Sequence, residues 1–367
     1  MKIVILTAKY GMGHVSAANS IKQDILKFNS EADVEIIDYF EYTMPTLSKF
    51  LYKAFNVTLK YAKELYSLYY LRNDRKTSGR DVFTRRFANM AEKLILEKQA
   101  DVIVSTFPLI SQGIGLYKKE SGSKISLVTC ITDVSSHYEW INDYTNRYLV
   151  PSDSIMNELV EKGVKKDIII SSGIPVSMNF RKISMNNTFG KNKTIKINKN
   201  KELLIMGGGF GILPEEDSFY KKLNSLNNIH TTIVTGNNKK AYEMLHGKYD
   251  NITVVGFTNK VYELLEKADC IITKPGGITV FESIYSLTPI ISLPTTLPNE
   301  VKNVDFIYSN NFGFMLDGTS EKDLDIVERL LNDNASMSKI KKSMSRFVDG
   351  LNKNYYNASC MDAESII

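Results

Sequence analysis

Cysteine is scarce in this sequence: Cys130, Cys270 and Cys360 are the only three, far apart in 367 residues. Two of them stand in apolar, strand-like runs where a thiol behaves as a small hydrophobe, so neither a disulfide framework nor a metal site is implied. Long apolar runs are missing too. None reaches the roughly 18 residues that a membrane-spanning helix requires, so any membrane contact is expected to be peripheral. The apolar run in the opening "MKIVILTA" is about five residues, short of the roughly 7–15 of a secretory signal core, and reads as a first strand. Histidine is limited to four residues, which keeps the candidates for acid–base work near neutral pH few. Glycine-rich loops occur, but neither the G-x-G-x-x-G nor the P-loop spacing does, and those two nucleotide fingerprints are excluded.

What is present is a globular composition, 43% hydrophobic and 24% charged, with a mean hydropathy of -0.18. The length suits two domains, because single cores stop growing well before it. A net charge of +5 points only weakly to an anionic partner, since solvated lysines account for most such excesses. Strand-like runs alternate with helix-length segments: "KIVILTA", "DVEIIDY", "DVIVSTF", "KISLVTCITD", "NRYLVPS" and "DIIISSG", then "ELLIMGG", "IHTTIVTG", "NITVVGF", "DCIIT" and "TPIISLP". Strands apolar along their length predict α/β lobes, each a parallel sheet covered by helices on both faces. The expected organisation is a first lobe over 1–180, a polar basic linker over 181–201, a second lobe over 202–340, and a helical segment over 341–367 for which a return to the first lobe is one option.

In such sheets ligands collect outside the carboxyl ends of the strands. The turns there are "KYGMGH" (9–14), "TDVSSHYEW" (132–140), "GGGFG" (207–211), "GFTN" (256–259) and "KPGG" (274–277). Glycines there either ease a turn or let a phosphate approach the backbone at a helix start. In "KPGGITVFES" (274–283), Thr279 and Glu282 have the T-x-x-E spacing of a capping box. The competing reading is a nucleoside diphosphate, its phosphates on the amides of Gly276 and Gly277 and its ribose diol on Glu282.

One stretch stands apart. Residues 47–70 fit a helical period, with Lys49, Lys53, Lys60 and Lys63 on an arc of roughly 80° and Leu47, Phe50, Leu51, Ala54, Tyr61, Leu65 and Tyr69 opposite. Across 49–86 ten Lys/Arg face three Asp/Glu. The segment reads either as a basic amphipathic helix lying on an anionic membrane surface or as a core-packed helix with a solvated lysine face.

The ordered set of G-x-G-H after the first strand, "GGGFG" opening the second lobe, "GF" after a later strand, "KPGG" with a glutamate shortly after, and "LPNEVKN" resembles glycosyltransferase family 28, over residues 1 to about 330. Within that family the chain is similar to the diacylglycerol glycosyltransferases of bacterial glucolipid synthesis and the plant monogalactosyldiacylglycerol synthases. The resemblance implies the GT-B fold, two Rossmann-like doubly wound lobes facing a cleft, with a UDP-sugar as donor, no required metal, and inversion at the anomeric carbon. It implies that the backbone at Gly256 and Phe257 grips the uracil and that Glu282 holds the ribose. Asn299, Glu300 and Asn303 then read the sugar hydroxyls, with Asn299 standing where the family carries glutamine and a preceding glycine absent. His14 is expected as the general base, Asp133 orienting or replacing it, while His137 or Trp140 shapes the acceptor mouth beside Gly11 and Gly13. His230 and His246 are expected to be ordinary surface residues. The amides of Gly208, Gly209, Gly276 and Gly277 and the charge of Lys274 are expected to stabilise the leaving UDP.

The function to expect is therefore transfer of a UDP-hexose sugar, glucose favoured, to diacylglycerol. The protein would be cytoplasmic, without a nucleic-acid partner, held at the inner face of the cell membrane through anionic lipids by Lys49, Phe50, Lys53, Lys60 and Lys63. The alternatives are another lipid acceptor, such as an undecaprenyl-linked peptidoglycan precursor, and a UDP-sugar-binding regulator without turnover.

Overall fold

The computed structural model describes residues 1–74, 82–188, 200–208 and 211–352, with the backbone alone at 56, 59–61, 63, 65, 66, 69 and 184–188. The chain divides into two compact units: residues 1–178 with 297–299 and the described residues from 351, and residues 179–296 with 300–350.

The first unit runs β1 (Lys2–Thr7), α1 (Gly13–Phe28), β2 (Asp33–Asp38), α2 (Tyr39–Thr43), α3 (Pro45–Tyr61), α4 (Lys63–Asn73), α5 (Val82–Lys98), β3 (Val102–Ser105), α6 (Pro108–Ser121), β4 (Ser126–Cys130), β5 (Arg147–Val150), α7 (Asp153–Glu161) and β6 (Ile169–Ser171). Its strands form one parallel sheet in the order β2-β1-β3-β4-β5-β6. The strands are apolar throughout because alternate side chains feed two cores. Ile3, Ile5, Val102 and Val104 meet Ala18 and Ile21 of α1 on one face. Val4, Leu6 and Ile103 meet Phe87 and Ala91 of α5 and Ile110 and Ile114 of α6 on the other.

The second unit follows through α8 (Met178–Thr188), β7 (Lys201–Met206), α9 (Asp217–Ser225), β8 (Ile229–Val234), α10 (Lys239–Leu245), β9 (Ile252–Val255), α11 (Val261–Lys267), β10 (Cys270–Thr273), α12 (Gly277–Ser286), β11 (Ile290–Ser292), α13 (Pro298–Ser309), β12 (Gly313–Met315), α14 (Glu321–Asn332) and α15 (Asn334–Gly350). The order β12-β11-β10-β7-β8-β9 is again parallel. One face buries Leu203, Ile205, Ile233 and Ile272 under Phe219, Leu223, Leu324 and Val327. A separate aromatic set, Phe281, Phe306, Phe312 and Phe347, ties α12, α13 and α15 together, with ring centroids 5.4–6.0 Å apart.

Three expectations about organisation change. Residues 47–86 are not one docking helix: the helix breaks at Ala62, and α5 packs into the core through Thr84, Phe87, Ala88, Ala91 and Leu94. Arg85 pairs with Glu120 at 2.5 Å and Arg86 donates to the Thr43 carbonyl at 3.0 Å, so both have structural work. On α3 the inward side is Ser48, Leu51 and Tyr52, whereas Leu47 and Phe50 face solvent beside Lys49 and Lys53. The side chains of Lys60 and Lys63 lie outside the described residues. The expected linker begins as helix α8, and residues 189–199 lie outside the described residues. Finally, α15 packs on α12 and α14 within the second unit, and the chain rejoins the first unit after Gly350, where the Asn352 N–H donates to the Ser171 carbonyl at 2.9 Å.

Candidate active site

In each sheet the chain order reverses once, between β1 and β3 in the first unit and between β7 and β10 in the second. At such a point the flanking turns diverge and leave room for a ligand outside the strand carboxyl ends. In the first unit those turns carry Gly11, Gly13 and His14 after β1 and Thr106 and Phe107 after β3. Gly11 has φ +80° and open space at the side-chain position, a left-handed conformation that favours glycine. His14 is the second residue of α1, whose start has no side-chain cap.

The His14 ring is held on one side. Its Nδ1 lies 2.8 Å from the Thr106 carbonyl oxygen and 2.7 Å from Thr132 Oγ1. A carbonyl only accepts, so the bond to Thr106 puts the proton on Nδ1 and leaves Nε2 of the neutral ring with its lone pair bare. The Phe107 ring meets the imidazole edge-on at 4.9 Å. Burial drives the His14 pKa down to about 4, opposed by the Thr106 bond, and the ring is therefore neutral at pH 7. Thr106 and Thr132 thus contact the ring from one side. Both threonines stand in strand-like runs, where threonine is ordinary, and sequence reasoning has no signal to single them out.

His137 and Trp140 are not at an acceptor mouth. Both are buried. His137 Nε2–H donates to the Tyr70 carbonyl at 2.9 Å and its Nδ1 accepts from the Glu139 N–H at 3.2 Å, so it caps a short 3-10 turn that ends at Trp140. His230, as expected, is an ordinary partner, bridging Glu202 and Thr253, and His246 stacks on Tyr242.

In the second unit the reversal is flanked by the turns after β7 and β10. Gly208 follows β7 with φ +68° and nothing near its Cα to receive a side chain. Gly209 lies outside the described residues. After β10, Thr273 Oγ1 donates to the Met206 carbonyl at 2.9 Å and so joins the two strand ends. The capping-box reading of T-x-x-E fails here: the N-cap of α12 is Gly276, no side chain caps the helix, and the first turn holds no acid. The Gly276 N–H is occupied by the Lys274 carbonyl at 2.8 Å, and the first helical bond is Val280 N–H to Gly276. Among the described residues the amides of Gly277, Ile278 and Thr279 have no acceptor, as at other helix starts, where such amides suit an anion. Glu282, further along the same helix, is half-buried and forms no hydrogen bond or ion pair among the described residues, and burial pushes its carboxyl up to about 8.

The neighbouring polar groups are tied together. Lys274 Nζ pairs with buried Glu300 at 2.5 Å, and Thr295 Oγ1 donates to the same carboxylate at 2.6 Å. The charge of Lys274 is therefore already offset. Asn303 Nδ2 donates to the Pro275 carbonyl at 2.8 Å and fixes the "KPGG" turn. Asn299 Oδ1 is buried without a hydrogen-bond partner. At the end of β9, Gly256 is half-buried and the Phe257 ring is exposed. Among the described residues no three His, Cys, Asp or Glu side chains gather as a metal ion requires.

Comparison with known proteins matches both halves of the chain. The monogalactosyldiacylglycerol (MGDG) synthase family matches residues 14–176, and the glycosyltransferase family 28 C-terminal domain matches residues 203–354. Relatives named processive diacylglycerol beta-glucosyltransferase include those of Bacillus cytotoxicus, 28% identical, and Bacillus mycoides strain KBAB4, 29% identical, each over 94% of this chain and 89% of the relative. Among solved structures, MurG of Acinetobacter baumannii superposes with a TM-score of 0.62 at 13% identity, over 97% of each chain. The S. aureus MnaA–UDP structure gives 0.58 at 12% identity, over 98% of this chain and 94% of that one. At such identities these structures speak for the fold, GT-B. The chain is thus similar to the MGDG synthases over its amino-terminal half and to glycosyltransferase family 28 over its carboxyl-terminal half.

Proposed function

We propose that the protein transfers glucose from UDP-glucose to the free hydroxyl of diacylglycerol at a membrane surface, with inversion. The observation that carries the donor side is the start of α12: among the described residues, three amides without acceptors, followed on the same helix by a carboxyl without a partner. A diphosphate suits the amides, and a ribose diol, with two hydroxyl donors, suits Glu282. The backbone at Gly256 and Phe257 takes the uracil. Asn299, whose buried Oδ1 lacks a donor, takes a sugar hydroxyl, with Glu300 and Asn303 beside it. The names of the Bacillus relatives support glucose and diacylglycerol. Those names specify a β-glucoside, whereas the sugar of UDP-glucose is α-linked, so that product requires inversion.

In the step itself the acceptor oxygen bonds to the anomeric carbon as the bond from that carbon to the UDP oxygen breaks, and its electron pair leaves with UDP. His14 Nε2 takes the acceptor proton. The amides of Gly277, Ile278 and Thr279, with Gly208 opposite the strand reversal, stabilise the charge growing on the diphosphate. Asp133, on the loop after β4, is the second candidate for the proton. The outward side of α3, with Phe50 and Val57 exposed beside Lys49 and Lys53, rests on an anionic leaflet. Among the described residues no helix is long and apolar enough to cross a membrane.

The test is incubation of the purified protein with radiolabelled UDP-glucose and vesicles of phosphatidylglycerol and diacylglycerol, with UDP-galactose and a polyprenyl-phosphate-linked acceptor as parallel arms. A labelled β-glucosyl lipid is expected. Label from UDP-galactose alone would overturn the donor, label on the polyprenyl acceptor alone would overturn diacylglycerol, and tight UDP binding without transfer would leave a regulator.

A further inference from the structure

We propose that Thr132 is a positioning residue for the His14 base: with the main-chain carbonyl of Thr106, its hydroxyl holds the imidazole in the Nδ1–H tautomer and keeps Nε2 bare. The inference rests on the reading of His14 as the proton acceptor. Its basis is two oxygens at 2.8 and 2.7 Å from one ring nitrogen and, among the described residues, no hydrogen bond on the other.

The three groups come from the carboxyl ends of adjacent strands. The direction of the Thr106 carbonyl is fixed by two bonds back to β1, its N–H to the Leu6 carbonyl at 3.0 Å and its hydroxyl to Thr7 Oγ1 at 2.9 Å. Thr132 stands just beyond β4, and its neighbour Ile131 is held by the Leu149 carbonyl at 2.9 Å. Thr132 is itself buried, and its hydroxyl lies against the imidazole. Among the described residues no charged side chain bonds the ring, and Lys9, on the same turn, is paired with Asp38 and Glu41. The arrangement replaces the carboxylate of a Ser-His-Asp triad with two neutral oxygens. Neutral acceptors fix the tautomer without raising the basicity of the resting ring as a carboxylate does. Once Nε2 has taken the acceptor proton, the same two oxygens meet the stronger Nδ1–H donor of the imidazolium with no reorganisation.

The experiment uses the full-length protein on diacylglycerol vesicles with UDP-glucose. Replacing the hydroxyl by a methyl in Thr132→Val is expected to lower kcat about tenfold, the worth of one hydrogen bond to a charged group, while KM for UDP-glucose stays unchanged. Thr132→Ser is expected to restore kcat. Nitrogen-15 spectra of labelled histidine are expected to show a protonated Nδ1 and a bare Nε2 for His14 in the wild type, and in Thr132→Val the same tautomer, held by Thr106 alone, with its Nδ1 signal shifted by the lost hydroxyl contact. A wild-type ring protonated at Nε2 would overturn the proposal without any variant, and so would wild-type kcat in Thr132→Val. Full turnover in His14→Ala with the Nδ1–H tautomer present in the wild type would instead sink the base role of His14.

Discussion

At the scale of single residues, Glu282 ties ligand binding to pH. Burial raises its carboxyl from an ordinary 4.5 to about 8, so without nucleotide at pH 7 it is mostly protonated. Two ribose hydroxyls favour the ionised form. Binding of UDP should therefore expel a proton, and affinity should rise between pH 6 and pH 8. Calorimetry at pH 7 in two buffers of different ionisation enthalpy measures that release directly. Glu282→Gln is expected to weaken UDP about tenfold and to remove the pH slope. A pH-independent affinity in the wild type would refute the ribose contact. The same shift acts on stability. Above pH 4.5 the unfolded chain ionises this group while the folded one stays protonated until about pH 8, so stability falls as pH rises through that window. The Gln variant should lose that component of the fall and melt higher than the wild type at pH 8. The sequence exposed this residue, but its T-x-x-E spacing offered a cap as a rival, because spacing does not say where a helix starts. His137 misled for the opposite reason. Four residues from Asp133 it looked like part of a site, and only the fold shows both its ring nitrogens engaged inside the unit.

At the scale of elements, α3 joins the outer surface to the turn that bears His14. Its Tyr52 and Phe55 pack on Tyr10 at 4.8 and 4.9 Å, Tyr10 stacks on Phe107 at 5.3 Å, and Phe107 touches His14. Tyr52 also donates to Asp38 at 2.6 Å, the carboxylate that pairs with Lys9 of the same turn. The inward side is thus committed to aromatic packing, and the outward side is free to meet lipid. Helical character over 47–61 was readable, and so was the exposure of Lys49 and Lys53. Its inward side was not, because apolar and aromatic residues occur on both sides of the helix and a periodicity count does not tell Phe50 from Phe55. The break at Ala62 had no glycine or proline to announce it. The prediction belongs to the exposed side. Lys49→Glu with Lys53→Glu should weaken co-sedimentation with phosphatidylglycerol vesicles at least thirtyfold, from about 1 kcal/mol per basic residue. Phe50→Asp should weaken binding to anionic and neutral vesicles alike. Neither change touches buried contacts, so melting temperatures should stay put. Unchanged pelleting would return α3 to the role of a solvated surface helix.

At the scale of the whole molecule, the two doubly wound sheets were the most readable feature, because a strand buried on both faces is apolar at every position, and runs such as "KIVILT" and "CIIT" have that character from end to end. Where the units divide was less readable: α8 lies in the expected linker, and the chain returns to the first unit only after α15. Each unit has its own core, Val4 with Leu6 and Phe87 in one, Leu203 with Phe219 and Val327 in the other. Heating the full chain should accordingly give two calorimetric transitions. Val4→Ala, a cavity in the first core, should lower one of them and so identify it. The residues proposed for the donor all lie in the second unit apart from Asn299, so UDP should raise the other transition. At one hundred times its dissociation constant UDP contributes about 2.7 kcal/mol, which for a unit of this size is a shift of roughly 5–10 °C. Glu282→Gln should shrink that shift while leaving the Val4-marked transition where it was. A UDP-dependent rise in the transition that Val4→Ala lowers would place the nucleotide on the wrong unit, and the assignment of α12 as its seat would fall with it.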